Sequence, residues 1–154
     1  MKSLHDSQAN TAAQKAVARL MELGVLLGQG MERELANQGL SRARAEVIWR
    51  LHRSGPVTQR ELSQALRCTP RNVTGLVDAL EEMGLVARRD HPTDRRATLV
   101  TLTEPGVKIA KSWDFGYRRL ATELFGDLPG DQVEGFLIAL ERVVGRLRAA
   151  GEVS

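Results

Sequence analysis

Cysteine, aromatic residues and long apolar runs are all scarce in this chain of 154 residues. With one cysteine, Cys68, the chain cannot form an internal disulfide, which fits a reducing compartment. No apolar run approaches the roughly 20 residues that a membrane-spanning helix needs. Residues 1–8 lack the apolar core of a secretion signal. We therefore expect a cytoplasmic protein without membrane spans.

The residue types that build catalytic and metal sites are also sparse. The three histidines, His5, His52 and His91, lie far apart, and no His/Cys pair has the spacing of metal ligands. The sequence contains neither a nucleophile elbow nor a glycine-rich phosphate loop. We therefore predict a protein that is not an enzyme and that uses no metal or cofactor.

The composition is that of a soluble globular protein, with 42% hydrophobic and 27% charged residues, and the length suits one domain. The net charge of +3 is unevenly distributed. Residues 41–103 contain eleven arginines against seven acidic residues, a net charge of +4, whereas the remainder has eleven basic and twelve acidic residues, a net charge of −1. All of the excess positive charge therefore lies in the middle segment, as a phosphate-binding surface requires.

Two short helices are predicted in this middle segment. Thr58 and Glu61 have the spacing of a capping box, in which each side chain satisfies a backbone N–H of the opening turn. The inward-facing residues of this first helix would be Leu62, Ala65 and Leu66. Thr69 and Pro70 then start a second helix, since proline is tolerated at the first helical position, and Gly84 ends it. Its predicted inward-facing residues are Val73, Leu76, Val77 and Leu80.

A pair of short helices joined by so tight a turn is typical of a helix-turn-helix, whose second helix lies in the DNA major groove. Arg71, Asn72 and Thr74 face outward near the start of that helix and have the chemistry to read base edges. The residues expected to approach phosphates, because they stand at helix N-termini, are Thr58, Gln59 and Thr69. The alternative is an ordinary helical hairpin whose outward polar residues are only solvated. In the leading interpretation Asp78 faces outward, and Glu81 and Glu82 form the solvated C-terminal end of the second helix, away from the phosphates.

A hairpin is predicted directly after the second helix. Residues 85–89 and 97–102 are compatible with β-strands, and they flank a charged, turn-rich tip at residues 90–96. Such a hairpin is a wing, and Arg95 and Arg96 at its tip could enter a minor groove. We expect Asp94 to orient Arg96, and Arg88 to add electrostatic contacts to DNA.

Residues 73–88, 90–96 and 102–106 together closely resemble the multiple antibiotic resistance regulator (MarR) family of winged-helix transcription factors. The most specific feature is the Asp-x-Arg of the wing, here Asp94 and Arg96. The departures are Pro70 and Gly75 in the second helix and His91 in the wing. The resemblance implies a mainly α fold with a small β-hairpin wing, an α+β winged helix-turn-helix, and a triangular homodimer.

The flanking segments are predicted to be helical. Apolar residues recur at helical spacing over residues 11–38, where Gly24, Gly28 and Gly30 would weaken or bend an isolated helix. Ser41 can cap a further helix that ends before Gly55, with Ala43, Val47, Ile48 and Leu51 inward. After the wing come two more helical regions, separated at residues 126–130.

This organisation divides the chain into three regions of one structural domain. Residues 1–40 form an N-terminal dimerisation helix, residues 41–103 the winged helix-turn-helix DNA-binding region, and residues 104–154 the C-terminal dimerisation helices. A C2 dimer would present two recognition helices about 34 Å apart and would favour a palindromic operator. We therefore predict a homodimeric, sequence-specific regulator of transcription, most simply a repressor.

Regulation is predicted through the resemblance. Similar proteins bind a small aromatic or phenolic anion between the dimer helices and the winged head, and Trp49, His52 and Trp113 could line such a crevice. Cys68 offers a redox-responsive alternative, because it lies just before a helix N-terminus, but the favoured interpretation is a small buried residue that packs the turn. A second alternative is a protein-interaction adaptor built on a winged-helix scaffold.

Overall fold

The computed structural model describes residues 2–94 and 97–151, with side chains from residue 11 onward. Within these ranges the chain forms six helices and three short strands. In chain order they are α1 Lys2–Asn37, α2 Arg42–Ser54, β1 Val57–Thr58, α3 Gln59–Ala65, α4 Pro70–Glu82, β2 Val86–Asp90, β3 Thr98–Leu102, α5 Glu104–Phe125 and α6 Gly130–Gly151. This is the mainly helical winged helix-turn-helix that the sequence predicts. No helix in the described ranges has both the length and the apolar content to cross a membrane.

The chain divides into two compact units, Met1–Lys108 and Ile109–Ser154. The core of the first unit lies where α2, α3 and α4 meet the sheet. Its fully buried side chains are Val47, Ile48, Leu62, Val73, Val77, Leu80, Val86 and Val100. Burying these branched apolar side chains is the main force that holds α4 against its neighbours.

Two residues predicted to face this core do not. Ala43 is exposed because it lies in the first turn of α2, at the edge of the packed face. Ala65 is exposed because α3 has only seven residues and buries a single one, Leu62. Leu66 and Leu76, also predicted to be inward, are half-buried.

Helix α1 is longer than its apolar pattern predicts. It begins at Lys2 instead of near residue 11 and runs without interruption through Gly24, Gly28 and Gly30. Residues 2–10 lack the apolar spacing from which the prediction was made, so their helical state could not be seen in the pattern. The glycines lower the helix propensity, but they do not break the element.

The wing belongs to a three-stranded antiparallel sheet in the order β1-β3-β2. The two hairpin strands were predicted, and β2 and β3 pair from Val86 with Leu102 to Asp90 with Thr98. Strand β1 was not predicted, because two residues are too few to show the alternation of apolar and polar side chains that indicates a strand. It pairs with β3 through Val57 opposite Val100 and so joins the wing to the start of α3.

The end of α4 is fastened to the start of α5. Gly84 ends α4 with a φ of 70°, as predicted, and is followed by Leu85 at the beginning of the wing. The Thr103 hydroxyl donates to the Gly84 carbonyl at 2.6 Å, and the Thr103 N–H donates to the Leu85 carbonyl at 3.1 Å. Thr103, which directly precedes α5, therefore connects the end of α4 to the end of the wing.

The predicted capping box is present at the start of α3. The Glu61 carboxylate accepts from the Thr58 N–H at 2.7 Å and from its hydroxyl at 2.8 Å, while the Glu61 N–H donates to the Thr58 hydroxyl at 3.2 Å. The backbone bond from Thr58, followed by the hydroxyl bond, lowers the pKa of Glu61 below its usual range. The ionised carboxylate is therefore the form that stabilises the helix start.

A pH-dependent contribution to stability follows from this lowered pKa. Because the folded pKa lies below the unfolded one, the contribution is complete above about pH 4.3 and is lost as the pH falls through the folded value. We expect the difference in unfolding midpoint between wild type and Glu61→Gln to shrink as the pH is lowered from 6 toward 3, measured by circular dichroism. Glu82→Gln, at an exposed glutamate of α4, is the control. A difference that stays constant with pH would contradict this interpretation.

Candidate nucleic-acid interface

The start of α4 presents polar side chains on a rigid support. The Thr69 hydroxyl accepts from the Asn72 N–H at 3.2 Å, and Pro70 occupies the first turn, so the predicted helix start is present. Arg71 and Asn72 are exposed, and no hydrogen bond or ion pair holds either side chain within the described part of the chain. Their donors and acceptors are therefore available to a ligand, in the place where a recognition helix carries its base contacts.

Thr74, the third predicted base contact, is tied to its own helix. Its hydroxyl donates to the Pro70 carbonyl at 3.0 Å, which leaves its methyl group as the outward feature. The Gln59 amide lies 3.5 Å from the same hydroxyl and links the start of α3 to α4. The structure thus brings Gln59 and Thr74 together, although they are fifteen residues apart in the sequence.

Thr58 and Thr69, the predicted phosphate contacts with hydroxyl groups, differ in how far those hydroxyls are already engaged in hydrogen bonds. The Thr58 hydroxyl is engaged twice in the capping box, beside the Glu61 carboxylate, so a phosphate would meet negative charge there. The Thr69 hydroxyl only accepts a hydrogen bond, and its proton can still be donated. Of the two, Thr69 is therefore better placed to hold a phosphate oxygen.

Arg88 is engaged inside the protein. Its guanidinium pairs with both Asp78 and Glu81 of α4, and its backbone N–H donates to the Glu81 carboxylate at 3.2 Å. Partial burial lowers the pKa of Arg88, but the hydrogen bonds to Asp78 and Glu81 outweigh it, so the pKa is raised overall. Glu81, predicted to lie at a solvated helix end, therefore joins the outward-facing Asp78 in connecting α4 to β2.

The pairing changes the role expected for Arg88. A guanidinium already shared by two carboxylates contributes little net charge to a phosphate, and we expect Arg88 to fix the angle between α4 and the wing. Arg88→Gln should lower the free energy of unfolding by about 1 kcal/mol, since the pairs are partly exposed. It should weaken DNA binding without changing the slope of affinity against salt, measured by fluorescence anisotropy. A slope lowered by about 0.9, the value of one phosphate contact, would instead support the prediction that Arg88 contacts DNA.

Arg89 provides the matched control for that experiment. It is the next residue of β2 and is exposed, and within the described residues its side chain has no ion pair. Arg89→Gln should leave the unfolding free energy within about 0.5 kcal/mol of wild type, as for most surface substitutions. The comparison separates loss of the α4 connection from loss of one positive charge in the same strand.

The wing loop is shaped around His91. The ring atom Nδ1 of His91 accepts from the Thr93 N–H at 3.3 Å and from the Asp94 N–H at 3.1 Å, and the Ala97 N–H donates to the Asp94 carbonyl at 3.0 Å. This gives His91, a departure from the family pattern, a role in shaping the loop. Arg95 and Arg96, and the predicted pairing of Arg96 with Asp94, lie outside the described residues.

Comparison with known proteins agrees with this geometry. Residues 40–98, which contain α2, the helix-turn-helix and most of the wing, match the model of the MarR family. These residues form a MarR-family domain. The proteins similar to the chain are named as transcription regulators, which agrees with the prediction that it is not an enzyme.

Three similar proteins illustrate the match. YhbI, an HTH-type transcriptional regulator of Bacillus subtilis, is 27% identical over 106 residues, 69% of this chain and 66% of YhbI. PrsX, an HTH-type transcriptional regulator of Escherichia coli, is 32% identical over 87 residues, 56% of this chain and 52% of PrsX. The matched part thus spans less than two thirds of either relative. The S. aureus MepR–DNA complex has the same fold, with a TM-score of 0.69 and 20% identity over 81% of this chain and 94% of that one.

The predicted effector residues are distributed over both units. In the MarR domain, Trp49 and His52 are half-buried neighbours on α2, with ring centroids 5.9 Å apart and planes tilted by 40°. An open depression of about 470 Å³ beside Trp49 is also lined by Arg50 and Arg53. Trp113 lies on α5 in the second unit.

Cys68 is half-buried in the turn between α3 and α4. Its carbonyl accepts a hydrogen bond from the Ser63 hydroxyl at 2.6 Å, which ties the turn to α3. Cys68 lines an open depression of about 510 Å³, and Arg71 and Asn72 also line it. The sequence could not show the bond from Ser63, because serine at the end of a short helix is common on any surface.

Proposed function

We propose that the protein is a sequence-specific double-stranded DNA-binding regulator of transcription, acting as a homodimeric repressor. The observation that carries the proposal is the pair Arg71 and Asn72, which are exposed at the start of the second helix of a helix-turn-helix and have no side-chain partner among the described residues. Arginine matches guanine O6 and N7, and asparagine matches adenine N6 and N7, through two hydrogen bonds each. The solved complex of MepR with DNA supports it, because that protein of similar fold binds DNA.

A direct test is a fluorescence-anisotropy titration of the protein against duplexes from upstream of its own coding region. A scrambled duplex of the same composition is the control, and both are measured at two salt concentrations. We expect tight binding to one upstream duplex only, with a steep dependence on salt. Equal, weak binding to every duplex would count against the proposal and favour a protein-interaction adaptor, which capture of a protein partner would then identify.

Exposed apolar side chains support a homodimer. On α1 the side chain of Met21 is 71% exposed, and on α5 that of Phe115 is 70% exposed. Every residue of α6 is described, and none is buried, although the helix carries an apolar stripe. The large apolar side chains of α6 that are exposed are Phe136, Leu137, Ile138 and Leu147. Surfaces of this kind mark protein contacts, and a second copy of the chain with C2 symmetry would cover them on both protomers.

The dimer can be tested on its own by sedimentation equilibrium. We expect a species of twice the 17.0 kDa of one chain at micromolar concentration. Leu137→Lys in α6 should shift this species toward the monomer, because it places a charge in the contact that we propose. A monomer for the wild type at all concentrations would exclude the dimer and, with it, a palindromic operator read by two recognition helices.

We further propose that a small aromatic anion releases the protein from its operator. The depression beside Trp49 is lined by two arginines, Arg50 and Arg53, against one acidic residue, Glu46. This net positive charge beside an aromatic side chain suits a planar carboxylate. Such a ligand would shift the population of conformers toward one that does not fit DNA. The anisotropy titration repeated with benzoate tests this, and operator binding unchanged at millimolar benzoate would argue against an effector of this class at this position.

A further inference from the structure

Three helices of the first unit end in the same way. In each case the backbone N–H of the third residue after the helix donates to the carbonyl of the residue five positions earlier, as in a Schellman motif. The bonds run from Leu40 to Leu35 after α1 at 2.9 Å, from Cys68 to Ser63 after α3 at 3.2 Å, and from Leu85 to Leu80 after α4 at 2.9 Å. The motif requires a residue with positive φ between helix and loop.

The residue chosen for that position differs at one of the three ends. Gly39 and Gly84 have φ values of 68° and 70°, and Arg67 has a φ of 50°. Glycine adopts this conformation freely, whereas any side chain brings its Cβ atom close to a carbonyl oxygen. The second bond of the motif agrees, since it is 3.3 Å at Arg67 against 3.0 Å at Gly39 and 2.9 Å at Gly84. Arg67 is the one non-glycine residue with positive φ in the described ranges.

Backbone hydrogen bonds hold the turn, but no polar contact of the Arg67 side chain offsets this choice within the described residues. Arg67 is exposed, and no hydrogen bond or ion pair holds its guanidinium among the described residues. A strained backbone conformation persists when the surrounding structure holds it, and residues in such conformations cluster at functional sites. Arg67 carries a permanent positive charge in a planar group suited to phosphate oxygens.

The position of Arg67 indicates which partner this is. It lies two residues before Thr69, the cap of the recognition helix, so the chain separates the two residues by about 7 Å at most. Phosphates line the edges of the groove that a recognition helix enters. We propose that Arg67 binds a backbone phosphate of the DNA at the edge of the groove occupied by α4. This inference rests on the proposed function and adds a contact in the turn itself.

The test uses opposite effects on stability and binding. Arg67→Gly and Arg67→Asn both remove the charge and suit a positive φ, so each should raise the Tm, by roughly 2–4 °C for glycine. Each should also lower the slope of log affinity against log salt by about 0.9, so that the loss of affinity between about 50 and 200 mM salt becomes about threefold smaller. Arg67→Lys keeps the charge and the conformational penalty, and it should leave the Tm and the slope near the wild-type values.

The outcomes distinguish this inference from the proposed function. Arg71→Ala is the reference, because it removes a base contact. If Arg71→Ala weakens operator binding while Arg67→Gly keeps the wild-type affinity and slope, the role of Arg67 is overturned and the proposed function stands. If wild type binds operator and scrambled DNA equally and Arg71→Ala changes neither, the proposed function fails and the inference fails with it.

Discussion

Gly106→Ala should lower the free energy of unfolding by about 3 kcal/mol, at the upper end of what overpacking costs. Gly106 is buried in the first turn of α5, against the chain that follows α4. A Cβ atom there would lie 2.1 Å from the Leu85 carbonyl oxygen and 3.2 Å from the Leu102 side chain. The oxygen cannot move away easily, because it accepts the Thr103 N–H at 3.1 Å. The methyl group would therefore separate α5 from the end of the recognition helix.

Gly75→Ala is the matched control for this substitution. Gly75 is an exposed glycine inside α4, and nothing lies within 4 Å of a Cβ atom added to it. Alanine there should raise the unfolding free energy, by up to about 1 kcal/mol, through helix propensity alone. Urea unfolding followed by circular dichroism, at one protein concentration, measures both variants. An unfolding free energy for Gly106→Ala within about 0.5 kcal/mol of the wild-type value would contradict this prediction. It would show that the backbone at the start of α5 shifts to accommodate the methyl group.

Arg71→Ala should weaken binding to the operator by about 1–3 kcal/mol, roughly 5-fold to 150-fold, and relax the preference at a single base pair. The reason is that one bidentate contact to a guanine edge would be lost, while the phosphate contacts remain. The slope of affinity against salt should therefore stay close to that of wild type. Anisotropy titrations against a set of operators, each with one base pair changed, measure both effects.

Arg71→Lys sharpens the interpretation of that experiment. Lysine keeps the charge but lacks the planar fork of two donors, so it should lose much of the base preference and little of the binding to scrambled DNA. An equal loss on every duplex, with a shallower salt slope, would instead identify Arg71 as a phosphate contact. The sequence-reading role would then have to rest on Asn72 and Thr74.

Much of the MarR domain could be predicted because its signals are local. Thr58 with Glu61, and Thr69 with Pro70, mark helix starts within four residues of chain, and Gly84 marks a helix end in the same way. The hairpin was visible because two β-compatible runs flank one charged loop. Each of these features is decided by neighbours in the sequence, so a single sequence carries the information.

The features that were missed depend on contacts between elements. Strand β1 exists only because β3 lies beside it, and the pairing of Arg88 with Asp78 and Glu81 requires the turn after α4 to bring β2 back along the helix. The close approach at Gly106 likewise depends on how α5 starts. Capping and periodicity do not report on such distances, which is why Arg88 was predicted to face DNA.

The order of the sheet also bears on how such regulators diversify. Val100 of the central strand β3 lies opposite Val57 on one side and Arg88 on the other, so one inserted residue in β3 would shift both pairings at once. The pairing of β2 with β3 ends at Asp90 and Thr98, so a change in the length of chain between these two residues leaves both registers in place. Selection can therefore lengthen, shorten or recharge the wing loop to suit a new binding site, while the framework that carries the recognition helix is inherited unchanged.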